Sequence, residues 1–135
     1  MKIGDRFEVR QTVTDAVTAE AAGSGGMRVF GTPFMIAMME NAAFSLMQRE
    51  LPEGKSSVGT KVNVVHTAPT PLGMTVTVKA EVTEISANGK MIDFKVTARD
   101  ETGPIGEGTH QRAVIDTERF LAKCEAKRGE AETRA

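Results

Sequence analysis

The chain has 135 residues, 40% of them hydrophobic and 26% charged, with a formal net charge of -1 and an isoelectric point near 6.1. This is the profile of one globular domain able to bury a single core, and its near neutrality excludes a general basic field for nucleic acid. A lone Cys124 excludes an internal disulfide and a cysteine-rich metal site, the N-terminus "MKIGDRFEVR" has no apolar signal-peptide core, and the apolar run 34–39 is far too short to cross a bilayer, so a cytoplasmic protein is expected.

Residues 5–14, "DRFEVRQTVT", set Phe7, Val9 and Gln11 against Arg6, Glu8 and Arg10, the alternation of a half-buried strand. The next stretch, "AAGSGGM" at 21–27, reads as a mobile loop. Thr32 is the expected N-cap of a long apolar helix with Pro33 at its first position, and Pro52 and Gly54 stop it. From residue 57 the texture turns to valine and threonine. "SVGTKVNVVHT", "GMTVTVKAEVTEI", "KMIDFKVTARD" and "GPIGEGTHQRAVID" are four strands, and Asn88-Gly89 marks a tight hairpin between the second and third. The final "TERFLAKCEAKRGEAETRA" is expected to hold a short helix and a fraying polar tail, giving a single domain at 1–125 and a tail at 126–135. A helix apolar nearly all round is normally enclosed. The expected fold class is therefore α+β, an antiparallel sheet wrapped around one long central helix, and the edges such a sheet leaves open favour a homodimer.

This order of elements resembles the hotdog fold. The blocks "VFGTPFMIAMMENAA", "SVGTKVNVVHTAPTPLGMTVTV" and "GEGTHQRAVI" are similar to acyl-CoA thioesterases of the fluoroacetyl-CoA thioesterase type, over roughly residues 3–125. The resemblance implies hydrolysis of an acyl-CoA thioester, without a cofactor or metal, by a threonine at the helix entrance, a glutamate within the helix and a histidine ending the next strand. By motif these fall on Thr32, Glu40 and His66. It also places Gly59 near the substrate and makes Phe30, at the start of the first block, a substrate-binding candidate. The match departs ahead of the helix. There the fluoroacetyl-specific enzymes carry lid phenylalanines, whereas this chain has "GSGGMRVF", so a more open entrance and broader acyl selectivity are expected.

The residues themselves bear on these roles. Glu40 sits in the middle of the most apolar stretch, where an unpaired carboxylate is costly; it must be paired with a base, exposed, or used as a nucleophile or general base. Strand alternation puts Val58, Thr60, Val62, Val64 and His66 on one inward face, which points His66 at the helix and within reach of Glu40. Thr32 is either a plain cap or part of an oxyanion site at the helix N-terminus. Its eight-residue separation from Glu40 is about 12 Å along a helix, which hints at a site shared by two subunits. His110 falls on the opposite alternation from Ile105, Ala113 and Ile115 and reads as structural or peripheral. Arg112 is a candidate anchor for a CoA phosphate, against the commoner outward, solvated arginine. Met35, Met38, Met39 and Met47 read as core filling. Two other functions compete: a hotdog hydratase, whose helical Asp/His pair is missing here, and a non-catalytic acyl-CoA-binding protein.

Overall fold

The computed structural model describes residues 1–134. Strand β1 (Arg6–Thr12) leads through a 3-10 turn (Asp15–Val17) and a short helix α1 (Ala19–Ala22) to the long helix α2 (Thr32–Gln48). Strands β2 (Lys55–His66), β3 (Thr75–Ile85), β4 (Met91–Arg99) and β5 (Pro104–Asp116) follow, and helix α3 (Thr117–Arg134) ends the chain. The five strands form one antiparallel sheet in the order β1-β3-β4-β5-β2, so β1 and β2 are its edges.

Met35, Met38, Met39, Ala42, Ala43, Leu46 and Met47 are all buried, a three-and-four spacing that makes one continuous helical face. The sheet meets it with alternate residues: Val76, Val78, Ala80 and Val82 of β3, and Ile92, Phe94, Val96 and Ala98 of β4. The helix is enclosed on that side only. Ile36, Glu40 and Phe44, four residues apart, are half-buried, and Ala37 and Asn41 are exposed. One five-stranded sheet wraps one helical stripe, the arrangement expected of an antiparallel sheet around one long central helix, and it leaves the opposite stripe partly open.

The N-cap of α2 is Gly31, not Thr32; no side chain caps it, and Pro33 lies in the first turn. In β2, a bulge between Gly59 and Lys61 shifts the register from Gly59↔Arg112 to Lys61↔Gln111. An extra residue reverses which side chains face inward. Ser57 is buried before the bulge and Val64 packs on the core after it, so the expected inward face holds only from the bulge onward, His66 included. On β5 the inward set is Gly106, Gly108, His110 and Arg112. His110 is 2% exposed and Arg112 6%, so neither is peripheral or solvated. Two glycines at the start of that face removed the apolar alternation by which a sequence reveals it.

Residues 18–30 leave and re-enter at one point. Thr18 and Phe30 form a bridge, Ala19 N–H donates to the Val29 carbonyl, and Gly31 N–H donates to the Val17 carbonyl. Part of the expected loop is helical, because the Thr18 hydroxyl accepts from Ala21 N–H and Gly23, at φ 70°, ends the turn in the left-handed region. Helix α3 runs unbroken to Arg134 with no buried residue, longer than the short helix expected. Asp116 accepts from Arg119 N–H at its start, and its Glu, Ala, Lys and Arg residues are strong helix formers. Ala135, the last residue of the expected tail, lies outside the described residues.

Candidate active site

Two of the three resemblance-derived residues touch. Thr32 Oγ1 and His66 Nδ1 are 2.7 Å apart, joining the first residue of α2 to the last of β2. Burial holds the His66 imidazole below its ordinary pKa, opposed by the backbone of Ala68, so the neutral ring is favoured. The Thr32 hydroxyl donates to a bare Nδ1 or accepts from a protonated one, so the contact fits either neutral tautomer. The ring Nε2 is buried without a hydrogen-bond partner among the described residues. The Phe30 ring stands edge-on to the imidazole, centroids 6.3 Å apart. Phe30 itself is 1% exposed, and its N–H donates to the Thr70 carbonyl. Together these residues form one wall of a cleft of about 340 Å³ whose other side is Gly25, Gly26 and Met27.

The helix entrance supplies less backbone than a generic N-terminus. Gly31 N–H is used by Val17, Pro33 has none, and the Phe34 and Met35 N–H groups both bond the Gly31 carbonyl. This leaves the Thr32 N–H, beside its own hydroxyl, as the backbone donor facing the cleft end of α2.

Glu40 is not at His66. It lies one strand segment away, opposite Gly59: a Cβ on Gly59 would stand 2.9 Å from Glu40 Oε2, 3.2 Å from His110 Cε1 and 3.4 Å from Arg112 Nη1. The absent side chain makes the room in which these three groups converge. Arg112 Nη1 is 4.0 Å from Glu40 Oε2, with Glu40 43% exposed, so the ion pair is loose and partly screened. Arg112 is otherwise tightly held. Nε donates to Ser57 Oγ at 2.9 Å, Nη2 to the Ser57 carbonyl at 3.0 Å, and its guanidinium lies 5.7 Å from the Phe44 ring. Burial lowers its pKa and Glu40 acts in the opposite sense. The guanidinium is thus inward and held by Ser57, not the outward, solvated arginine that a strand position commonly carries. Ser57 and His110 were not singled out as members of this cluster. The available signal was position: His110 and Arg112 share a face with Gly106 and Gly108.

Helix α2 and strand β2 run antiparallel past each other. Thr32 meets His66, Glu40 meets Gly59, and Gln48 bonds Lys55 and Ser56. Within one chain the two clusters are therefore separated by two turns of helix, about 12 Å.

With this geometry in hand, the relatives can be placed. The fluoroacetyl-CoA-specific thioesterase family matches residues 13–118. The fluoroacetyl-CoA thioesterase of Streptantibioticus cattleyicolor is 39% identical over 133 residues, covering 94% of each chain. A solved structure of the fluoroacetyl-CoA thioesterase FlK superposes with a TM-score of 0.87 at 38% identity, over 94% of this chain and 97% of that one. A thioesterase superfamily member from Thermus thermophilus gives 0.88 at 25% identity, over 98% and 96%. The fold is the hotdog fold, α+β, as the resemblance implied. The chain belongs to the fluoroacetyl-CoA-specific thioesterase family and is an acyl-CoA thioester hydrolase.

Proposed function

We propose that the protein is a cytoplasmic homodimer that hydrolyses small acyl-CoA thioesters, with Thr32 and His66 of one subunit and Glu40 of the partner subunit in each site. The observation that carries the reading is the 2.7 Å contact between the Thr32 hydroxyl and a neutral imidazole, on the wall of a cleft of about 340 Å³. That volume suits a small acyl group beside the pantetheine arm. A variant of FlK, 38% identical to this chain, is known in complex with fluoroacetate and CoA, which supports a CoA thioester of a short acid here.

The separation within one chain supports the shared site. Strand β2 is a sheet edge, and Val62 and Val65 stand exposed on it at 39% and 54%. Antiparallel pairing of two copies about a two-fold axis near residues 62 and 63 sets His66 of one opposite Gly59 of the other. Gly59 is where Glu40 lies, so the pairing closes the gap between the clusters.

In the reaction, the Thr32 hydroxyl and N–H hold the thioester carbonyl and the attacking oxygen at the helix entrance. The Glu40 carboxylate, exposed enough to meet water, takes a proton from the attacking water as it adds to the carbonyl carbon. The carbon–sulfur bond breaks, the thiolate leaves and is protonated, and the products are a carboxylic acid and free CoA. A thiol-release screen over short, aromatic and branched acyl-CoAs tests this. The smallest acyl groups are expected to give the highest kcat/KM; preference for bulky aromatic or branched groups overturns the substrate class.

A further inference from the structure

His110 has no part in the reaction just described, yet it is the more deeply buried of the two histidines. It stacks on Phe94 with centroids 6.2 Å apart, and its ring nitrogens are both engaged. Nδ1 lies 2.8 Å from the carbonyl of Lys61, the residue where the β2 bulge rejoins the ladder. A carbonyl only accepts, so this nitrogen carries the proton. Burial lowers the pKa of the ring; the Lys61 carbonyl opposes that, the charge of Arg112 adds to it, and Glu40 opposes it. A neutral ring protonated at Nδ1 presents a bare lone pair at Nε2, and Arg112 Nη1 donates to it at 3.2 Å. Arg112 is thereby held at all three nitrogens, by Ser57 twice and by His110 once. Nη1, the nitrogen that His110 holds, is the one nearest Glu40 and the open space beside Gly59.

We infer that His110 is a positioning residue: by accepting from Arg112 Nη1 it fixes the guanidinium in the orientation that faces the Glu40 carboxylate. The inference rests on the reading that Glu40 belongs to the active site. Without His110, Ser57 still grips the Nε–Nη2 edge, but a buried Nη1–H left without its acceptor tilts the planar group about that edge, loosening those bonds and moving the charge off the carboxylate. The groups that face the ring are Arg112 on its own strand, Glu40 on α2, Lys61 on β2, Glu84 on β3 and Asp93 on β4, the last three across a cleft of about 290 Å³. Protonating His110 turns Nε2 into a donor, ends the Arg112 bond and places two cations side by side.

The test uses the full chain labelled with ¹⁵N-histidine, the His110 signals being assigned by their loss in His110→Gln. Nδ1 is expected to be protonated and Nε2 bare at neutral pH; the opposite tautomer, or a charged ring, overturns the proposal. Kinetics then test its use. His110→Leu, with no acceptor, should lower kcat about 10- to 100-fold with KM within about threefold. His110→Gln, whose amide oxygen reaches for Nη1, should recover most of the loss. Equal losses in the two variants, or no loss in leucine, overturn the positioning role. If the leucine variant does not fold, His110→Asn replaces it, since asparagine keeps a donor for Lys61 but falls short of Arg112. Glu40→Gln leaves the tautomer intact. Parent-like turnover in that variant therefore removes the Glu40 reading, whereas a wrong tautomer removes this one.

Discussion

A threonine hydroxyl both donates and accepts, so the 2.7 Å Thr32–His66 bond forms with either neutral tautomer, and it is burial that sets the charge state of the ring. Burial depresses the His66 pKa, so the working, neutral form persists below the ordinary histidine value of about 6.5. The acid limb of kcat/KM is expected to have its midpoint below about 6.5, and a midpoint at or above that value removes His66 from the rate-limiting chemistry. Stability follows the same sign. His66 and His110 both take protons less readily when folded, so as pH falls through about 6.5 the unfolded chain binds protons first. Thermal midpoints should decline from there downward until the folded-state values are reached. Glu40 is the second residue whose chemistry is separable from its packing, because it is half-exposed and its one ion pair among the described residues is loose. Glu40→Gln should fold normally and lower kcat by at least about 100-fold on the best substrate, measured by thiol release. The family resemblance put Thr32, Glu40 and His66 forward as candidates. That they divide into Thr32–His66 and Glu40–Arg112 was not legible, since the division depends on how far strand β2 travels while α2 makes two turns.

At the scale of elements, the sequence resolved whatever carries a two- or three-and-four-residue apolar period, and lost what does not. The four valine-rich strands and the α2 stripe stand close to where patterning puts them. The bulge after Gly59 left no such mark, yet it decides that Ser57 and Gly59, not Val58, face the helix. The inward face of β5 was hidden because it is made of two glycines, a histidine and an arginine. The segment 23–30 is the element with the clearest functional consequence. Gly25, Gly26 and Met27 border the Thr32–His66 cleft, Met27 is 71% exposed, and no aromatic ring from this segment covers the opening; Phe30 is buried as its floor. A lid discriminates by excluding water and filling space around the acyl group. Without aromatic bulk, small acyl groups are separated only by single pocket contacts, worth about 1–3 kcal/mol each. Acetyl- and fluoroacetyl-CoA should therefore be hydrolysed with kcat/KM values well within about 1,000-fold of each other. A direct competition between the two substrates measures this, and a larger preference for fluoroacetyl rules out an open entrance as the determinant.

The two edges of the sheet are built differently, and the difference bears on the proposed pairing of two copies. Along β1 the outward positions are Arg6, Glu8 and Arg10, with Glu8 paired to Arg10 and Arg99, a charged rim that resists strand addition. Strand β2 has the reverse character: Val62 and Val65 are exposed on an edge whose neighbour on the other side is β5. The Ile36–Glu40–Phe44 line of α2 lies half-covered, outside the stripe that the five strands bury. An unpaired ladder, exposed valines and a half-covered helical line all ask for the same thing, a second copy paired through β2. With a net charge of -1, long-range repulsion between copies is negligible. In the proposed dimer the same pairing brings Glu40 to the Thr32–His66 pair, so assembly and activity should be lost together. Val62→Lys with Val65→Lys crowds like charges about the two-fold axis while leaving every residue of both clusters unchanged. Sedimentation of the parent at micromolar concentration should show a dimer and no folded monomer. The double variant should sediment as a monomer and release thiol at least about 100-fold more slowly, the scale of losing the catalytic carboxylate. A compact monomer with parent activity would sink the shared site, and Glu40 would then have to act, if at all, within its own chain.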